Sequence, residues 1–110
     1  MFAYTVRCTF SYRDLADEWV DWLRNEHLAD VCEAGAIDAE VVRLESDPVE
    51  VEVRYHFPSR EIFNRYEQEH APRLRKEGLE RFPLDRGLSF HRSVGEVVHR
   101  HGADDQPERD

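Results

Sequence analysis

Lysine is almost missing from this chain. Of its 15 basic residues 14 are arginine, Lys76 being the exception, and they are scattered among 24 acidic residues to leave a formal net charge of −9. A surface so acidic repels phosphate backbones and anionic headgroups, so neither nucleic acid nor membrane is expected as a partner. No apolar run approaches the ~20 residues that a helical span needs. Met1–Arg7 carries neither a basic leader nor a long apolar stretch, which makes the cytoplasm the expected location. Cysteine is confined to Cys8 and Cys32, expected to be buried thiols rather than a disulfide. Also missing are a Gly-rich phosphate loop, a Cys-x-x-Cys or His-Glu-x-x-His pair and a Gly-x-Ser-x-Gly elbow. No metal and no cofactor is therefore expected, and no stretch of the sequence spells a reaction.

What is present is a strong pattern. At 110 residues the chain suits one domain, large enough to fold without metal or disulfide. Phe2, Tyr4, Val6, Cys8 and Phe10 alternate with Ala3, Thr5, Arg7 and Thr9, the mark of a strand with one buried face. Val49, Val51, Val53, Tyr55 and Phe57 alternate likewise with Glu50, Glu52, Arg54 and His56. Two further strands are read at Ile37–Leu44, before a turn at Asp47-Pro48, and around Leu88, Phe90 and Val94. Between them lie two amphipathic helices. The first is expected to open with Ser11 and Asp14 as a capping box, to bury Leu15, Trp19, Trp22 and Leu23, and to stop at Gly35. The second has Ser59 as N-cap and Glu61 in its first turn. Its inner face carries Ile62, Phe63, Tyr66, His70 and Leu74. Pro72 is expected to break or bend it, and Gly78 to end it.

The order β-α-β-β-α-β predicts an α+β, ferredoxin-like fold: four antiparallel strands with both helices on one face. An internal repeat supports it, since Leu23–Val31 aligns without gaps on Tyr66–Leu74, carrying His27 to His70, Trp19 to Ile62 and Gly35 to Gly78. The domain is read as 1–98, with 99–110 a polar tail expected to be disordered.

Two sets of residues are candidates for chemistry. Arg7, Arg54, His56 and His91 would share the sheet face away from the helices, where arginines among Thr and Ser could grip a carboxylate. Against this, Glu50 and Glu52 could neutralise the same arginines by ordinary cross-strand pairing. His27 and His70, on the inner helix faces, could line a pocket as general bases, or could be structural and simply hydrogen-bonded. Trp19 and Trp22 read as core or interface aromatics.

The segments Trp19–Val31 with Gly35, and Tyr66–Phe82, resemble the domain-of-unknown-function family numbered 4286, and the likeness covers about Met1 to Val98. The resemblance implies a ferredoxin-like fold whose sheets pair face to face in a homodimer, a dimeric α/β barrel. It implies no activity. The wider group includes cofactor-free monooxygenases of antibiotic biosynthesis, haem-degrading enzymes and stress-related proteins, but none of their catalytic motifs carries over to these residues. Two functions stay open: binding or transforming a small organic molecule, neutral or anionic, between the paired sheets, or a non-catalytic structural or interaction domain.

Overall fold

The computed structural model describes residues 1–102, so most of the polar tail lies outside the described residues. Strands β1 (Phe2–Phe10), β2 (Asp38–Arg43), β3 (Val49–Phe57) and β4 (Leu88–Glu96) form one sheet in the order β2-β3-β1-β4. All three pairings are antiparallel. Helices α1 (Arg13–Trp22) and α2 (Leu28–Glu33) are joined by a π turn, Leu23–His27, and α3 (Arg60–Glu69) is followed by α4 (Ala71–Arg81).

Period-two alternation sends one face of the sheet under the helices. Phe2, Tyr4, Val6, Cys8 and Phe10 are buried on β1, with Val51, Val53, Tyr55 and Phe57 beside them on β3. Leu15, Trp19 and Leu23 come down from the first helical segment, and Phe63, Tyr66 and Leu74 from the second. Fully burying a side chain such as Phe10 or Leu15 contributes roughly 1.5–3 kcal/mol, so this one cluster dominates the stability. Both cysteines are free, and burial pushes the Cys8 thiol up to about 12, which leaves it inert.

Several local expectations are met and others corrected. Ser59 caps α3, its Oγ accepting from the Ile62 N–H at 3.2 Å. Gly35, at φ 136°, closes α2 in a Schellman arrangement: Ala36 N–H donates to Val31 O and Gly35 N–H to Cys32 O, both at 3.2 Å. The break ahead of Pro72 falls at His70, with Pro72 in the first turn of α4, where its missing N–H costs nothing.

Ser11 does not cap α1. Tyr12 holds the N-cap position without a side-chain bond, while the Ser11 N–H donates to Gly87 O at 2.8 Å and so ties the start of α1 to the turn before β4. Nor does Gly78 end α4, which runs to Arg81. Instead Gly78 makes room for the Trp22 ring, which a Cβ there would meet at 3.2 Å. The single long helix read through Val31 contains a wide turn, the Leu28 N–H reaching back five residues to Leu23 O.

Candidate functional site

The two sheet faces offer two very different environments. Arg7, Arg54, His56 and His91 do share the open face: Arg7 lies between Glu52 on β3 and His91 on β4, and Arg54 opposite Thr5. Their charges are already engaged. Arg7 donates through Nε and Nη2 to Glu52 Oε2 at 3.1 and 2.7 Å, and Arg54 Nε donates to Glu52 Oε1 at 2.8 Å. Arg54 also reaches Glu40 at 3.4 Å, and His56 Nδ1 sits 2.8 Å from Asp38 Oδ1. Bonds from Arg7 and Arg54 hold the Glu52 carboxyl below its ordinary value. This is the cross-strand pairing that competes with ligand binding. His91 is exposed.

The helix side holds a cavity with a water-accessible volume of about 60 Å³. Trp19, Trp22 and Phe90 supply much of its apolar wall, and three phenols, Tyr4, Tyr55 and Tyr66, enter it from β1, β3 and α3. Tyr4 and Tyr55, paired across the strands, stack at 5.6 Å between centroids. Burial pushes the phenols of Tyr55 and Tyr66 up, so both remain protonated donors.

His27 also lines the cavity. On a regular α-helix residues five apart point about 140° away from one another. The π turn removes that offset, and His27 stacks on Trp22 with centroids 4.5 Å apart and planes at 22°. Burial brings the imidazole down from 6.5 to about 4, against an opposing pull from Asp30, so it is neutral at physiological pH. A π turn beside a cavity is a common feature of functional sites. His70 is not among the lining residues. It sits at the break between α3 and α4, its Nδ1 3.5 Å from Arg73 Nη2.

One corner of the cavity is strongly polar. Arg92 Nε donates to the Tyr4 hydroxyl at 3.2 Å, and Arg75 Nη2 donates to the same oxygen at 3.3 Å. Arg75 is paired with Glu67 at 2.7 Å. The Arg92 guanidinium lies 5.3 Å over the Phe90 ring and meets no carboxylate among the described residues. Arg75 Nε is buried without a partner. From this corner the cavity opens into a groove of about 240 Å³ bordered by Phe63, Glu67, Ser93 and Val94.

Neither arginine was singled out by the sequence, although one signal was available. On β4 the apolar parity runs Leu88, Phe90, then Arg92 and Val94, so Arg92 is a charge written into the helix-side face of the strand, at an exposed position. Opposite Val6 in the register, it shares the helix side of the sheet and reaches the Tyr4 hydroxyl there. Arg75 follows the buried Leu74 on a helix whose start was displaced by the break at His70, which blurs the helical pattern.

The fold is shared with solved structures of low sequence identity. A dimeric ferredoxin-like protein from an uncultured marine organism superposes with a TM-score of 0.74 at 16% identity, covering 94% of this chain and 100% of its own. HapK from Hahella chejuensis gives 0.65 at 17%, covering 94% and 98%. SnoaB from Streptomyces nogalater, a cofactor-independent oxygenase, gives 0.65 at 9%, covering 90% and 94%. Comparison with curated proteins finds no match. No helix among the described residues is long and apolar enough to cross a membrane. Residues 1–97 match the family described as DUF4286, a domain of unknown function, and the chain belongs to that family.

Proposed function

We propose that the protein is a homodimer that binds a small organic molecule in the cavity between helices and sheet of each protomer. The observation that carries this reading is the meeting of an apolar, tryptophan-lined cavity with a convergent polar corner at Tyr4, Arg75 and Arg92. Apolar walls with a few converging polar groups are the usual make-up of a small-molecule site. The inner space of about 60 Å³ holds only part of such a ligand, and the adjoining groove of about 240 Å³ takes the rest. No cofactor is needed for binding of this kind.

The open sheet face has a different role in this reading. Arg7, Arg54, His56 and His91, with Thr5 and Thr9, form the surface on which the two sheets of the homodimer meet; two solved structures that share the fold are described as dimeric ferredoxin-like proteins. An anionic ligand on this face would have to displace Glu52 from both arginines, so the helix-side cavity is the better site.

Tryptophan fluorescence and thermal shift with a panel of aromatic and carboxylic metabolites test the proposal, because Trp19 and Trp22 both line the cavity. A ligand at a hundred times its Kd stabilises the fold by about 2.7 kcal/mol. Selective stabilisation is expected, abolished by Leu79→Trp at the cavity rim. A flat response across the panel would favour a non-catalytic interaction domain. Light scattering should give twice the chain mass of 13.0 kDa, and a persistent monomer at micromolar concentration would remove the paired sheets.

A further inference from the structure

We propose that the Tyr4–Arg75–Arg92 corner is an oxyanion subsite, which takes the carboxylate of a small aromatic acid whose ring enters the tryptophan-lined cavity. The inference rests on the helix-side cavity being the ligand site. It goes further in fixing the ligand's charge, its acidic group and its orientation.

Two guanidiniums converge on one phenol oxygen, at 3.2 and 3.3 Å, and the one carboxylate among these contacts is Glu67, which engages Arg75. One positive charge is left over, at the mouth of a low-dielectric cavity, in a chain whose formal net charge is −9. Several other arginines are met by acids: Arg7 and Arg54 by Glu52, Arg43 by Asp17, Arg81 by Glu26 and Arg86 by Glu18. Arg92, like Arg13, Arg24, Arg60 and Arg65, is in no ion pair among the described residues, and of these five it is the one that lines the cavity.

A guanidinium only donates. Arg75 Nε is buried with no acceptor, a state that costs free energy. The Tyr4 oxygen already accepts from both arginines, so what it has left to offer is its own proton. Tyr4, Arg75 and Arg92, each with protons to donate, thus line one cavity together. A carboxylate, with two oxygens and about four acceptor positions, matches that set, whereas an ammonium or an amide N–H does not.

Arg92 is held over Phe90 and Arg75 is tethered by Glu67, so the donors are oriented before a ligand arrives. Directly inward lie the aromatic walls of Trp19, Trp22 and Tyr55. A flat ring carrying a carboxylate on its edge would meet both environments at once.

The test uses the full chain, with benzoate and its neutral isostere benzamide as probes, titrated against tryptophan fluorescence. Benzoate should bind at least about tenfold more tightly than benzamide, the difference a charge-assisted bond supplies. Arg92→Gln should remove that preference and leave benzamide affinity unchanged within about twofold. Arg75→Gln should do the same. Should loss of its pair with Glu67 unfold the chain, the exposed Arg92 still decides the matter. Arg65→Gln, at an exposed position on α3, should retain the preference. Equal binding of both probes would overturn the oxyanion subsite while leaving the cavity reading intact. A preference that survives both arginine variants would also overturn it, since the anion would then sit elsewhere. If neither probe perturbs the tryptophans at tens of millimolar, the subsite and the cavity reading fall together.

Discussion

The His27 imidazole lies nearly parallel to the Trp22 indole, with centroids 4.5 Å apart. The cost of charging a ring in that position sets the first prediction. Burial holds its folded-state value at about 4 against 6.5 in the open chain. Between those values the unfolded chain carries a proton that the folded chain refuses, so stability falls as pH drops from 6.5 to 4 and levels off below. The loss amounts to at most about 3 kcal/mol. Urea midpoints at pH 7 and pH 4.5 should show it, and His27→Leu should flatten that part of the profile. An unchanged slope in the variant would assign the pH dependence to other groups.

Glu52 supplies a second, more acidic window. Hydrogen bonds from Arg7 and Arg54 hold its carboxyl below 4.5, so its contribution is present above pH 4.5 and is lost as pH falls through the lowered value. Glu52→Gln should weaken acid sensitivity below pH 4.5 without altering the step assigned to His27. If both steps change together, the open face and the cavity are coupled.

Gly78 gives a test of packing. Alanine in mid-helix normally adds about 1 kcal/mol over glycine. Here the new methyl group would press on Trp22 at 3.2 Å, and His27 and Phe82 hold that ring from other sides. Overpacking of this kind costs about 1–3 kcal/mol. Gly78→Ala is therefore expected to lower the thermal midpoint rather than raise it. A gain of stability would mean that the Trp22 ring yields freely.

Ser59→Ala removes the acceptor for the Ile62 N–H and should cost about 1 kcal/mol in chemical denaturation. Ser11→Ala should cost no cap energy, because its side chain caps nothing.

Much of the fold was legible because strands β1 and β3 alternate without a single exception, and a one-residue slip would bury charges and expose valines. The antiparallel order and the one-sided helices follow from that pattern and the two amphipathic stretches. What could not be read were departures from regular period. The π turn at Leu23–His27 shifts every later side chain around the helix axis, and no composition signal marks it. Curiously, the internal repeat places His70 opposite His27, and both stand where a regular helix is interrupted. The repeat fails at its glycines: Gly35 has φ 136° and ends a helix, whereas Gly78 lies inside one. As for the candidate site, the sheet-face residues were identifiable by parity alone. Arg75 and Arg92 were not, since a cation on the helix side of the sheet makes sense only once both are known to meet at the Tyr4 hydroxyl.

Tyr4 bonds to partners 71 and 88 residues further along the chain. The corner at which they meet thus joins the first strand to α4 and to the last, edge strand, and it does not exist until β4 has docked. Any molecule held there acts as a rivet through both ends of the chain. Occupancy should slow amide exchange along Leu88–Glu96 more than anywhere else, and a chain cut before Leu88 should keep its first three strands yet have no affinity for the ligand at all.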